Sequence, residues 1–409
     1  MLTVKQQKNR DFWKKHFLRP VSCRNKIVFL FLISLLQACS FSTKQAISTR
    51  HDALPPIKAI QVDLDYVYDT DPLQQQRNID LLKERVKELG INTVFLQAFA
   101  DPDGNGVAES LYFPSRFLPL RENLFSPTAK ALRKEGVAVF GWLPLLAFEL
   151  PEKNIELYVH RTNDYYKVIQ SPSEHLRLSP FNPISRKIIE GIYRDFAHKT
   201  TVDGILFHDD GVLADFEDSS EAALQEYKRA GFPSDIKTIH NNLETLRKWS
   251  HYKTRYLTDF SLILLDIIRQ EQPGIFSVRN IFASPVLHPE SEMWFAQSLP
   301  VFLQAYDYTA LMAMPFMEKS NDTQGWLKQL SWAALAHEKN NNRIIFELQT
   351  KNWETRKPVP SDVLRQQIIL LFQMGGTSFA YYPDDFYKNL PPAEMINSCF
   401  SNLEACNQQ

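Results

Sequence analysis

Hydrophobic residues along this chain alternate between two spacings. Short apolar runs rich in β-branched and aromatic residues occur at residues 57–64, 93–99, 137–143, 204–207, 275–278, 309–314, 344–348 and 378–382. Their length and composition suit strands buried on both faces. Between them lie more polar segments whose apolar residues recur at helical spacing. In residues 72–89 these are Leu81, Leu82, Val86 and Leu89, and Pro72 sits just inside the start, where a missing amide costs little. Residues 258–270, 326–339 and 362–374 follow the same period. Gly90, Gly136 and Gly375 each fall after a helix and before a strand, where a C-cap belongs.

Repeated strand–helix alternation without a hairpin signal predicts an α/β fold whose parallel strands close into a (β/α)8, TIM-like barrel. An open doubly wound sheet would want a glycine-rich phosphate loop after the first strand. Residues 62–65 (VDLD) place carboxylates there instead. No internal repeat or Gly/Ser-rich linker interrupts residues 57–409, so one domain is expected across them.

The start of the chain has a different pattern. Basic residues between Lys5 and Lys26 precede an apolar run at 27–36, too short to span a bilayer as a mature helix. These are the n-region and h-region of an export signal over residues 1–38. The run ends in Leu36-Gln37-Ala38-Cys39, which resembles a bacterial lipobox, so cleavage before Cys39 would leave its thiol to carry lipid. An ordinary signal peptide or an anchor is the other reading. Ser40 follows, with no Asp to retain the protein at the inner membrane; by likeness to other lipoproteins this implies the periplasmic side of the outer membrane. Residues 39–56 would form a lipidated tether. Cys23 would leave with the signal, so Cys399 and Cys406, close together in an oxidising compartment, are candidates for a local disulfide.

Composition narrows the function classes. The 409 residues are 44% hydrophobic and 23% charged, as in a globular protein. Formal net charge is -1, from 46 basic and 47 acidic residues, which gives no field to draw in nucleic acid. Aromatics are 12%; they can fill a core or offer flat faces for sugar rings.

In a barrel of this kind, function gathers at the C-terminal ends of the strands. Polar and aromatic residues collect there. Strand one ends in Asp63 and Asp65, and strand two is followed by Gln97, Asp101 and Asp103. Strand three carries Trp142, and strand four runs into His208, Asp209 and Asp210, with Asp215, Glu217 and Asp218 beyond. Strand five ends in Arg279 and Asn280, and strand seven in Glu347 and Gln349, then Trp353. Strand eight leads into Tyr381, Tyr382 and Asp384. Glycoside hydrolysis needs a protonated carboxyl at the leaving oxygen and a second group at the anomeric centre, and crowded acids raise one another's pKa. The acids after strand four fit that need. They also fit a solvated acidic loop, N-capping residues, or a metal site built on His208, Asp209 and Asp210. No Gly-x-Ser-x-Gly elbow, HExxH, P-loop or CxxC occurs, so no metal or other cofactor is expected. Schiff-base chemistry would want a lysine at a strand end; Lys351 lies past the end of strand seven in a polar segment and reads as a solvated side chain.

Several blocks carry a family resemblance: residues 62–68 (VDLDYVY), 96–104 (LQAFADPDG), 177–181 (RLSPF), 204–210 (GILFHDD), 279–283 (RNIFA), 292–297 (EMWFAQ), 313–315 (AMP), 347–349 (ELQ) with Trp353, and 381–384 (YYPD). Over residues 57–390 the sequence closely resembles the C-terminal glycoside hydrolase domain of the PgaB family, the poly-β-1,6-N-acetylglucosamine N-deacetylases of biofilm-forming bacteria. The resemblance implies a (β/α)8 fold and an endo-acting hydrolase of partially de-N-acetylated poly-β-1,6-N-acetylglucosamine. It places the catalytic acids at Asp209, Asp210 and Asp215, with Asp215 the general acid. Asp209 or Asp210 would orient a 2-acetamido group or meet a glucosamine ammonium, and Trp142, Trp353, Tyr381 and Tyr382 would wall the cleft. Family members carry a deacetylase domain before this one, whereas here only a tether separates Cys39 from the first strand. The expectation is therefore hydrolysis without deacetylation, beside a separate deacetylase or an export pore. A non-catalytic glycan-binding lipoprotein that assists polymer export is the alternative.

Overall fold

The computed structural model describes residues 54–152, 154–163, 167–169 and 176–408. The expected signal at 1–38, the lipidated Cys39 and the tether up to residue 53 lie outside the described residues.

Eight parallel strands close into a barrel: β1 Lys58–Val62, β2 Thr93–Gln97, β3 Ala138–Leu143, β4 Gly204–Phe207, β5 Phe276–Ile281, β6 Tyr308–Ala313, β7 Ile344–Gln349 and β8 Ser378–Tyr382. Neighbours in sequence are neighbours in space, and β8 closes on β1 through the register Lys58 to Phe379. The principal helix after each strand packs outside: α1 Pro72–Leu89, α2 Phe125–Lys134, α3 Pro183–Lys199, α4 Leu243–Glu271, α5 Leu299–Ala305, α6 Thr323–Leu335, α7 Ser361–Gln373 and α8 Ala393–Ser401. Every strand read from sequence is present. Among the helices read from sequence, α4 differs most, because it starts well before residue 258. Asn242 caps it by accepting from the Thr245 amide at 2.9 Å, and Lys253 falls on its buried stripe between Trp249 and Leu257, which hides the apolar period. In α1 the buried face is Ile79, Leu82, Val86 and Leu89, while Leu81 turns to solvent. Gly90, Gly136 and Gly375 all adopt positive φ.

Inside the barrel, rings from β2, β3, β5 and β6 meet: Phe95 with Phe140 at 5.9 Å, Phe140 with Phe276 at 6.3 Å, and Phe276 with Tyr308 at 6.1 Å. β4 opens on a glycine for a steric reason, since a Cβ at Gly204 would lie 2.6 Å from the Phe140 ring. The outward residues pack on helices; Phe207 meets Tyr193 of α3 at 6.0 Å and Tyr306 at 6.1 Å. Cys399 of α8 is disulfide-bonded to Cys406. The backbone of residues 54–56 is tied under the barrel by Asn342 (2.9 Å to the Leu54 carbonyl), Tyr308 (3.0 Å to Pro55) and Asn92 (3.0 Å to Pro56). These groups stand at the N-terminal ends of the strands, so the chain enters on the face opposite the barrel mouth.

Candidate active site

The mouth is built from strand ends. Asp63 follows β1, Trp142 is on β3, His208 and Asp209 follow β4, Asn280 is on β5, Glu347 on β7 and Tyr382 on β8. Trp142 stands 5.1 Å from the His208 ring, 5.3 Å from Phe99 and 5.8 Å from Tyr382, and Trp353 extends the series at 5.7 Å from Tyr382. These rings form an aromatic floor and one wall. Two polar atoms in it, Trp142 Nε1 and His208 Nδ1, are buried with no hydrogen-bond partner among the described residues. His208 Nε2 lies 3.1 Å from Asp209 Oδ1.

Two carboxyls in the mouth are held in unusual states. Burial pushes Glu347 up to about 8, helped by the negative charge of Asp209 and opposed by the hydrogen bond from Asn280 Nδ2 to Oε2 at 2.7 Å. Glu347 on β7 therefore keeps its proton near neutrality, with the charge of Asp209 after β4 acting on it. Asp63 is pushed up to about 7, first by burial and further by Asp65 and Asp101, while Tyr382 Oη, 3.1 Å from Asp63 Oδ2, works the other way. A protonated carboxyl at a barrel mouth lined with aromatic rings suits acid-assisted cleavage of a glycosidic bond.

The remaining sequence-predicted residues divide. Asp65 sits on the rim, accepting from Tyr112 Oη at 2.7 Å and from the Asp101 amide at 2.9 Å, with Arg121 at 3.4 Å. Gln97 is buried beneath it, its Oε1 receiving the Asp65 amide at 3.4 Å. Asp103 is not part of the mouth: it is spent on the turn, accepting from the Asn105 amide at 3.1 Å. Gln349 holds the Phe316 and Met317 amides at 3.0 Å each, which fixes the loop after β6.

Tyr381 and Asp384 correct the expectation of a Tyr381–Tyr382 wall. Adjacent strand residues face opposite ways, so Tyr381 points out of the barrel, fully buried against Phe400 of α8 at 6.2 Å. Its hydroxyl donates to Asp384 Oδ1 at 2.7 Å, and Asp384 pairs with Arg85 of α1 at 2.7 Å with both side chains buried. Neither reaches the mouth.

The loop after β4 is corrected in detail as well. Asp210 accepts from the Leu145, Leu146 and Ala147 amides at 2.8, 2.5 and 2.7 Å, so it joins this loop to the one after β3 rather than facing a substrate. Arg279 is buried and donates to the carbonyls of Phe207, His208 and Gly211. Asp215 is buried in the same segment. Burial pushes it up to about 6, and the charges acting on it are Lys253, Glu217 and Arg161. Lys253 and Arg177 were not singled out from sequence. Lys253 could have been found, because a lysine four residues from both Trp249 and Leu257 lies on the apolar face of its helix. Among the described residues no group of three or more His, Cys, Asp or Glu side chains is arranged to hold a metal ion.

A closed parallel barrel with paired carboxyls and aromatic rings at its C-terminal mouth belongs to the glycoside hydrolase class. Residues 61–382 match hypothetical glycosyl hydrolase family 13, and the chain belongs to that family. It is 41% identical over 355 residues to the poly-β-1,6-N-acetyl-D-glucosamine N-deacetylase of Escherichia coli, covering 85% of this chain and 52% of that protein. The chain thus spans about half the length of the curated relatives it matches. The PgaB (BpsB) glycoside hydrolase domain from Bordetella bronchiseptica is 44% identical, with a TM-score of 0.80 over 85% of this chain and 99% of that one. The α-L-fucosidase isoenzyme 2 of Paenibacillus thiaminolyticus, 14% identical with a TM-score of 0.60 over 87% of this chain and 50% of that one, shares the fold.

Proposed function

We propose that this protein is an endo-acting hydrolase of partially de-N-acetylated poly-β-1,6-N-acetylglucosamine, working in the periplasm from a lipid anchor at Cys39 in the outer membrane. The observation that carries the reading is Glu347, a buried carboxyl at the barrel mouth that is pushed up to about 8 by burial and the charge of Asp209 and is fixed by Asn280 at 2.7 Å. Glu347, protonated at neutral pH, gives its proton to the leaving glycosidic oxygen, while Asp209, steadied by His208, meets the positive charge that develops at the sugar or orients its 2-substituent. Trp142 Nε1 donates to the sugar, and Trp353 and Tyr382 stack on its apolar faces. Asp63, Asp65 and Asp101 form an acidic rim suited to glucosamine ammonium groups, because charge-assisted pairs favour de-N-acetylated units.

The substrate comes from the relatives: the full-length Escherichia coli protein is named for this polymer, and the Bordetella bronchiseptica chain that matches nearly end to end is named as a glycoside hydrolase domain. This supports hydrolysis by the half that is shared. The export signal and lipobox-like segment at 1–39 support the location. Mass spectrometry of soluble products tests the reading. Incubation with the partially de-N-acetylated polymer should release discrete oligosaccharides, and fully acetylated polymer should release fewer. Intact polymer that co-purifies with the protein would favour a binding and export role instead.

A further inference from the structure

The segment that carries Asp209 has no regular secondary structure between β4 and residue 220, yet it is buried along much of its length. Carbonyls in such a segment need donors. They are supplied by three buried basic side chains, from β5, from the segment before α3 and from α4. Arg279 on β5 takes the carbonyls of Phe207 (3.3 Å), His208 and Gly211 (2.8 Å). Arg177 takes that of Val212 and also meets Glu217 Oε2 at 3.0 Å. Lys253 of α4 takes those of Ala214 (2.6 Å) and Glu217 (2.7 Å), and its ammonium rests 3.5 Å from the centre of the Trp249 ring.

The fit is close. A Cβ at Gly211 would lie 2.1 Å from Arg279 Nη2, so glycine is what lets the guanidinium approach the backbone. Asp210 holds the same segment from the front through three amides of the loop after β3. Both of these Lys253 hydrogen bonds run to backbone carbonyls. An ion pair alone would serve charge balance, whereas bonds to carbonyls fix the path of the chain.

We propose that Arg177, Lys253 and Arg279 form a three-pronged clamp that sets the position of Asp209 at the barrel mouth, with Lys253 the strut through which α4 holds the segment. They are positioning residues: they act on cleavage through the backbone of residues 207–217 and leave substrate contacts to the mouth. The kinetic part of this inference rests on the proposed hydrolysis; the clamp itself does not.

The test compares the full protein with Lys253→Met, Lys253→Arg and, as a control on the exposed side of the same helix, Lys248→Met. Two quantities are measured: amide hydrogen exchange across residues 207–217, and kcat and KM on the partially de-N-acetylated polymer. Lys253→Met should speed exchange in that segment while the barrel strands stay protected. Its kcat should fall by about a hundredfold with KM nearly unchanged, since a shift of about 1 Å in a catalytic group costs that much. Lys253→Arg should recover much of both effects, and Lys248→Met should match the wild type. If Lys253→Met does not fold, Lys253→Gln, which keeps a donor, takes its place. A folded variant with native exchange at 207–217, or with native kcat, overturns the clamp. Wild-type protein that yields no product would instead overturn the hydrolase reading, and the exchange measurement would still decide the clamp.

Discussion

Asn280 Nδ2 donates a 2.7 Å hydrogen bond to Oε2 of Glu347, joining β5 to β7 at the barrel mouth with β6 between them. The bond fixes the carboxyl and engages one of its oxygens, so the proton has the other from which to leave. It also favours the ionised form, which restrains the rise that burial imposes. Asn280→Ala should therefore push the Glu347 pKa above about 8 and move the alkaline limb of the kcat/KM profile to higher pH. Turnover at the optimum should drop by about tenfold to a hundredfold as the carboxyl loses its orientation. An alkaline limb that stays in place would mean that another group is the acid.

The raised pKa of Glu347 is also a statement about stability. The folded protein binds a proton at Glu347 that the unfolded chain releases between 4.5 and about 8. Stability from this group is thus complete below 4.5 and declines as pH rises toward 8, by up to about 1.4 kcal/mol per pH unit. Glu347→Gln lacks the titration, so its stability relative to the wild type should improve steadily across that window. Urea unfolding at the two ends of the window measures this; an equal difference at both ends would contradict the assigned state.

Tyr381 and Tyr382 make a paired test of which face is the cleft. Tyr381→Phe removes a 2.7 Å bond to buried Asp384, which should cost about 1 to 2 kcal/mol of stability and leave polymer cleavage unchanged. Tyr382→Phe removes the bond to Asp63 in the mouth and should weaken cleavage with a smaller effect on unfolding. Parallel thermal melts and product assays on the two variants would show the reverse order if the assignment of faces were wrong.

The disulfide between Cys399 and Cys406 closes a short loop, with a sequence separation of 7. Chain-entropy reasoning gives about 2 kcal/mol for a loop of that size. Cys399→Ser with Cys406→Ser should therefore lower Tm modestly without altering product yield, because the bridge ties α8 to the helix that follows it, outside the barrel wall. Loss of cleavage in a folded double variant would show that the C-terminal helix supports the site.

The fold was legible because strands buried on both faces leave continuous apolar runs, and all eight appear where those runs fall. The mouth was legible in outline, since strand ends bring Asp63, Trp142, His208, Asp209, Asn280, Glu347 and Tyr382 to one rim. What the one-dimensional pattern could not convey was orientation. Tyr381 and Asp384 follow the same strand as Tyr382 yet serve the packing of α1 and α8 through Arg85. Asp210 and Asp215 are adjacent or near to Asp209 in sequence, but irregular backbone turns one toward three amides and buries the other beside Lys253. The partners that decide those orientations lie far away in the chain, and local spacing carries no trace of them.

Cleavage by wild-type protein, Asp209→Asn and Glu347→Gln, with polymer binding followed by co-sedimentation in the same samples, tests the central claim most directly. The account predicts oligosaccharide release by the wild type and a loss of about a hundredfold or more in each variant, with binding retained. Full turnover by either variant, or by both while Asp215→Asn is inactive, would contradict the assignment of the Asp209–Glu347 pair.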